Sequence, residues 1–285
     1  MGRDTCSILL ASDLSACGDR ALDRAIDIAR RRRCKLIVLH VVEEPSFAER
    51  LRSPESRDAE LQAAERLLLD TVGEVDVPME LIVETGHPVE VIERTARLRQ
   101  CDLIVTGSGR NGGLGRLLLG STAERLARTA ALPILIVRKR PHRPYQRVLG
   151  ATDFSEGSRQ ALNAARVFFP DAQLTLLHAY PMLKADPDPA EIEAAQGEAQ
   201  RAGDAFVSRH FARGGAAPKL VLERGLPERV VPDYVARHPT DLLVVGTHGL
   251  TGLLRTAMGS VAERLIQLSP CDALVVRTVP VEPLA

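Results

Sequence analysis

The chain has 285 residues, 45% of them hydrophobic and 26% charged, and its 37 basic side chains are balanced by 37 acidic ones. That length predicts roughly two domains of about 100–150 residues, and the neutral balance removes any global electrostatic case for binding nucleic acid or an anionic membrane. Aromatic residues make up 3% with no Trp, so Leu, Val, Ile and Ala must build the cores; the five cysteines are scattered without a C-x-x-C pair, which suits a reduced cytosol better than a disulfide framework or a zinc site.

Near the N-terminus the only apolar stretch, Ile8–Ala11, stops at Asp13. It is too short for a signal h-region, and no apolar run is long enough to span a bilayer, so the expectation is a soluble cytoplasmic protein without membrane contact. In chain order, β-branched runs predict strands at Ser7–Ser12, Lys35–Val42, Met79–Glu84, Leu103–Gly107 and Ile134–Arg138. Helices are predicted between them at Ser15–Arg33, Pro54–Val72, Val89–Arg99 and Ser121–Ala131. The basic run Arg30–Arg33 fits the C-terminal end of the first helix, where positive charge meets the negative end of the dipole. Lys139–Tyr145, basic and proline-bearing, reads as a linker. Strands follow at Arg147–Thr152, Gln173–His178, Lys219–Glu223, Leu242–Gly246 and Ala273–Arg277, with a long Ala-, Glu- and Gln-rich helix after the loop Pro181–Pro189. Ser15 and Ser155 are candidate N-caps, and Pro88 and Pro227 suit the first turn of a third helix.

The two halves repeat one another. Gly107–Arg138 aligns with Gly246–Arg277 without a gap, and Ile8–Ser15 answers Val148–Ser155. A repeat of that length is a duplicated domain rather than a solenoid unit, giving domains at 1–138 and 147–280. Strand–helix alternation with runs apolar on both faces, such as Leu242–Val245, indicates a doubly wound parallel α/β sheet in each. The last strands, Ile134–Val137 and Ala273–Val276, carry no charge or proline to block pairing. The halves are therefore expected to dock through them about a pseudo-twofold axis.

In the second half the loop after the fourth strand reads Gly246-x-x-Gly249, then nine residues, then Gly259-Ser260. Ligands in open parallel sheets bind beyond the carboxyl ends of strands, where strand order reverses. Glycines there admit a ligand close to the main chain, and the start of the next helix suits a phosphate. Turn chemistry alone explains glycines before a helix, and a cap on that helix explains Ser260; Asp153, at the tip of the first strand, points instead to a site. Gly107-Ser-Gly-Arg-Asn-Gly112 spells G-x-G-x-x-G but follows the wrong strand, and no lysine follows Gly112 or Gly259 as a Walker loop requires.

On these motifs the chain resembles a tandem universal stress protein: an Asp after strand one, a G-x-P start to the third helix, D-L-I-V-x-G before the loop, and G-x2-G-x9-G-[S/T] as in the ATP-binding members. The resemblance covers essentially the whole chain, twice. It implies a Rossmann-like five-stranded sheet of order 3-2-1-4-5 in each half, pairing through the fifth strands, and adenine-nucleotide binding without a dedicated catalytic apparatus. It implies contacts from Ala151, Thr152 and Asp153 to base or ribose, from the Ala179 main chain to adenine, and from Gly246, His248, Gly249, Gly259, Ser260 and the Val261 amide to phosphates. An Asx-type cap is the plain alternative for Asp153, and His178 reads as a packed core histidine. In the first half Asp13, Val41, Gly107, Gly120 and Ser121 match, but Arg110 stands where the second half has Gly249. Weakened or lost binding is expected there, although the charge of Arg110 suits a phosphate and the extra glycines permit a shifted register.

The functional expectation is a stress-response regulator that binds ATP, with or without Mg2+, and acts through ligand-dependent conformation or association with a protein partner or a second copy of itself. The alternatives are a nucleotide-independent interaction scaffold and a very slow ATPase. No paired carboxylates, Ser/His/Asp order or metal-ligand cluster is legible near the loop, so no catalytic or metal-binding residue is assigned.

Overall fold

The computed structural model describes residues 6–43, 54–109, 119–181, 184, 186–212, 216–247 and 258–277. The chain forms two compact units, one of residues 1–126 and 132–144, the other of residues 127–131 and 145–285. In the first unit the elements run β1 (Ser7–Ser12), α1 (Ala16–Arg32), β2 (Lys35–Glu43), α2 (Pro54–Val72), β3 (Met79–Gly86), α3 (Pro88–Leu98), β4 (Leu103–Gly107), α4 (Ser121–Thr129) and β5 (Ile134–Val137). The second repeats the series with β6 (Arg147–Ala151), α5 (Glu156–Phe168), β7 (Gln173–Tyr180), α6 (Pro189–Phe211), β8 (Lys219–Arg224), α7 (Pro227–Arg237), β9 (Leu242–Gly246), α8 (Ser260–Leu268) and β10 (Asp272–Val276).

All strands within a unit pair in parallel. In the first, β1 lies between β2 and β4, with β3 outside β2 and β5 outside β4. In the second, β6 lies between β7 and β9, with β8 and β10 outside them. Each sheet is doubly wound: the chain leaves its first strand in one direction and returns to extend the sheet in the other. The residues of the central strands, Ile8–Leu10, Leu36–Leu39, Leu103–Val105 and Leu242–Val245, are buried, as runs covered on both faces must be. Each such side chain contributes roughly 1.5–3 kcal/mol by burial.

The core of the first unit is aliphatic, as composition requires. That of the second is not wholly so: Phe206 and Phe211 close on Leu162 and Leu176, with Phe154 packed against them. Five of the six phenylalanines fall in the second half, a bias that the whole-chain percentage hides.

Local signals position the helices. Ser15 and Ser155 are the N-caps of α1 and α5, each accepting from the amide three residues on (Gly18 and Ser158), and Pro88 and Pro227 open α3 and α7. α1 ends in three arginines, with Arg33 left-handed beyond them, and Arg30 pairs with Asp76.

The expectation of unpaired cysteines is overturned. Cys6 and Cys34 form a disulfide with a Cα–Cα separation of 4.5 Å. The reason lies in register: Ser7 is level with Lys35, so the residues preceding β1 and β2 fall side by side at the foot of the sheet. Their sequence separation of 28 closes a loop whose tethering stabilises the fold by about 3–4 kcal/mol on chain-entropy grounds. Cys101 and Cys271 are buried outside any disulfide, and burial pushes the Cys101 thiol up to about 12, which leaves it unreactive.

One carboxylate at the foot of each fourth strand fixes the central register. Asp102 accepts from the Ser7 amide at 3.1 Å. Asp241 accepts from the Gln146 and Arg147 amides at 3.0 and 2.9 Å and pairs with the Arg147 guanidinium at 3.3 Å. Burial opposes the Asp241 charge, but those amides and the guanidinium outweigh it and hold the carboxyl below its ordinary value. A depressed folded-state pKa gives stability that is fully present above the usual carboxylate value of 3.8 and lost as pH falls below it, through the lower folded-state value. Asp241→Ala should therefore cost about 1–3 kcal/mol at pH 7 in urea unfolding, with the deficit shrinking as pH falls below 3.8; a deficit that stays the same on acidification would refute the assignment.

Candidate functional site

The crevice of the second unit forms beyond the carboxyl ends of β6, β7 and β9, at the reversal of strand order. Ala151 is level with Leu177, and Gly150 with Val244. Continued one residue past the first pair and two past the second, the same register sets Thr152, His178 and Gly246 in one row. The Thr152 amide continues the ladder by donating to Leu177 O at 3.0 Å. A cavity of about 260 Å3 opens there, and Ala151, Thr152, Asp153, Ala179, Gly246, Gly259, Ser260 and Val261 all line it. His248 and Gly249 lie outside the described residues.

Gly246 is glycine because the main chain of α5 passes it. A Cβ there would meet the carbonyl carbon and oxygen of Gly157 at 2.9 Å, and neither atom can yield. Beyond it Thr247 donates to Val276 O at 3.0 Å and accepts from the Gly259 amide at 2.9 Å. These bonds bring the start of α8 back to the strand ends. The helix begins at Ser260 with Gly259 as its N-cap, so the cap role considered for Ser260 belongs to Gly259. A glycine cap supplies no side-chain acceptor, and the first amides of α8 face the cavity with the positive end of the helix dipole.

Asp153 has the Asx-turn geometry foreseen as its plain role: its Oδ1 accepts from the Ser155 amide at 3.1 Å. It lines the cavity as well, so the two readings are compatible. Phe154, the next residue, is left-handed at φ 62°, a conformation costly for a bulky side chain. His178 is both packed and exposed to the cavity. Its Nδ1 lies 2.8 Å from Thr152 O, and its ring stacks on Phe154 with centroids 4.4 Å apart.

Sequence reasoning missed Ser158, Leu177, Pro227, Val231 and Leu265, which line the cavity with Val245, Thr247 and Ala262. Pro227 and Val231 come from the first turns of α7, which the G-x-P signal already placed near the strand ends. Ser158 carried no separate signal beyond its place three residues after the cap.

The first unit has the corresponding cavity, of about 490 Å3, lined by Asp13, Val41, Gly107, Gly120 and Ser121 together with Ser12, His40, Glu43 and Gly109. Gly109 is left-handed at φ 86°, and a Cβ on it would lie 2.6 Å from Gly120 Cα. The loop thus enters against the start of α4 by main-chain contact. Arg110 lies outside the described residues. A third cavity, of about 420 Å3, is lined by Arg166, Asp171 and Lys219; it lies at the amino ends of β6, β7 and β8, away from the switch point.

Two doubly wound parallel sheets, each with a crevice at its switch point, define a tandem Rossmann-like α/β protein. A model of the universal stress protein family matches residues 7–138 and again 144–277; the chain belongs to this family of stress-response proteins. Among its relatives, a universal stress protein of Mycolicibacterium smegmatis is 28% identical, over 95% of this chain and 96% of its own. Universal stress protein E of Salmonella typhi is 26% identical, over 72% of this chain and 70% of its own. The crystal structure of a universal stress protein from Archaeoglobus fulgidus shares the fold at a TM-score of 0.69 and 19% identity, covering 96% of this chain and 99% of that one.

The contact at Gly246 makes a direct test of the crevice wall. Gly246→Ala should force β9 and α5 apart and cost about 1–3 kcal/mol, read as a lowered urea midpoint; an unchanged midpoint would show that the close approach is not structural.

Proposed function

We propose that the second unit binds an adenine nucleotide, ATP with or without Mg2+, and that occupancy regulates association: docking through the apolar strands β5 and β10, or affinity for a protein partner. The observation that carries the reading is the convergence in one cavity of an acid at a strand tip, strand-end residues Ala179 and Gly246, and a helix start whose cap, Gly259, brings no side-chain hydrogen bond. These are three complementary chemistries. A carboxylate suits ribose hydroxyls or an exocyclic amine; main-chain amides and carbonyls suit the edge of adenine; a helix N-terminus suits phosphate. A cavity of about 260 Å3 lies just under the usual range for small-molecule sites, so a triphosphate would extend from it along the start of α8.

Hydrolysis has no assigned machinery in this reading, and any turnover is incidental to binding. Regulation follows from linkage: a ligand that binds one docking state better shifts the population toward that state by its differential affinity.

Calorimetric titration with ATP tests the proposal. Wild type should bind, and Gly249→Arg, which writes the residue of the first half into the second, should weaken binding at least tenfold, about 1.4 kcal/mol. Absence of heat and of competition with a fluorescent adenine nucleotide in wild type would leave a nucleotide-independent scaffold as the better account.

A further inference from the structure

The two crevices differ at the end of the second strand of each unit. β1 stops level with His40, while β2 runs on beside β3 until Glu43 is level with Gly86. The flank of β2 that β1 leaves uncovered lines the crevice through Val41 and Glu43. The Nδ1 atoms of His40 and His178 lie 2.8 Å from Ser12 O and Thr152 O, which fixes the correspondence between the units. Val41 therefore matches Ala179, and the exposed Glu43 stands where the second unit has Pro181.

Strand order sets three stations along the first crevice. Val41 and Glu43 stand on β2, Asp13 follows β1, and Gly120 meets the end of β4, its amide donating to Ser108 O at 2.8 Å. β1 lies between β2 and β4. Neighbouring strands are about 4.8 Å apart, so the outer stations are separated by about 10 Å. That distance suits a nucleotide laid across the strand ends, phosphates at one end and base at the other. The start of α4 suits the phosphates, Asp13 suits the sugar hydroxyls, and Pro88 and Ile92 form an apolar wall for the base. The volume of about 490 Å3 falls within the usual range for small-molecule sites.

The base edge then meets Glu43, and an ionised carboxylate only accepts. Guanine carries two neighbouring donors, N1–H and the N2 amine, which match the two carboxylate oxygens in a bidentate, charge-assisted pair. Adenine puts an acceptor, N1, on the same edge, and a carboxylate repels it.

We propose that the first crevice is a guanine-nucleotide site in which Glu43 selects the base, an inference that rests on the nucleotide reading of the switch-point crevice. The two units of one chain then take different purines. Pro181 brings no carboxylate to the second crevice, so adenine meets no such penalty there.

Titration of the isotopically labelled full chain, followed at the amides of residues 41–43 and 120–123, reads the first crevice by itself. Guanosine diphosphate should bind there about tenfold more tightly than adenosine diphosphate, the worth of one good bidentate pair. Inosine diphosphate, which lacks the N2 amine, should fall between them. Glu43→Gln exchanges one acceptor for a donor at an exposed position and should abolish the guanine preference. It should also bind xanthosine diphosphate, whose C2 carbonyl accepts from the new amide, more tightly than wild type does. Equal affinity for the guanine and adenine diphosphates in wild type, or a guanine preference that survives in Glu43→Gln, overturns the proposal. Silence at the first crevice while ATP shifts residues 151–155 overturns it too, and leaves the nucleotide reading of the second unit standing. Silence of both units toward every nucleotide overturns that reading as well.

Discussion

A carboxylate at the foot of the fourth strand, Asp102 in one unit and Asp241 in the other, ties down the first amides of the neighbouring strand. Everything at the opposite end of the sheet depends on that clasp. A parallel strand has no hairpin to set its register, and a slip of one residue would turn every side chain to the other face. With the register held, Thr152, His178 and Gly246 arrive in one row, and the crevice opens where the crossovers diverge. The acid is set at the strand foot, and the consequence appears at the tip.

Much of this was legible in the sequence because the chain carries its own comparison. The duplicated pattern marked both units, and the buried runs marked their parallel strands. The G-x-P signals placed Pro88 and Pro227 at the helix starts where they stand. The described members of the expected site come together in each unit. What escaped depends on lateral neighbours. Cys6 and Cys34 look scattered along the chain and become adjacent only once β1 and β2 are in register. Ser158 reads as an ordinary helical serine until its hydroxyl meets Thr152. The phenylalanine cluster was hidden because composition averages two unlike cores.

The two halves show how a duplicated fold diverges without losing its frame. Strand pairing, helix caps and the left-handed residue after the strand-tip acid are common to both. The differences gather around the crevices. The first cavity is the larger, at about 490 Å3 against about 260 Å3. It adds the Glu43 carboxylate to its rim and has a glycine where the second unit has Ser158. Such changes leave the stability of the sheet to the strand-foot acids and the core, while altering what each crevice can hold.

The most direct measurement is a titration of the isotopically labelled full-length chain with ATP, followed by the amide resonances of both units. The account predicts saturable shifts concentrated at residues 151–155, 178–180, 246–247 and 259–262, with weaker response at residues 11–15 and 120–123. Shifts centred instead on residues 166–175, or none at all at millimolar ATP, would contradict it.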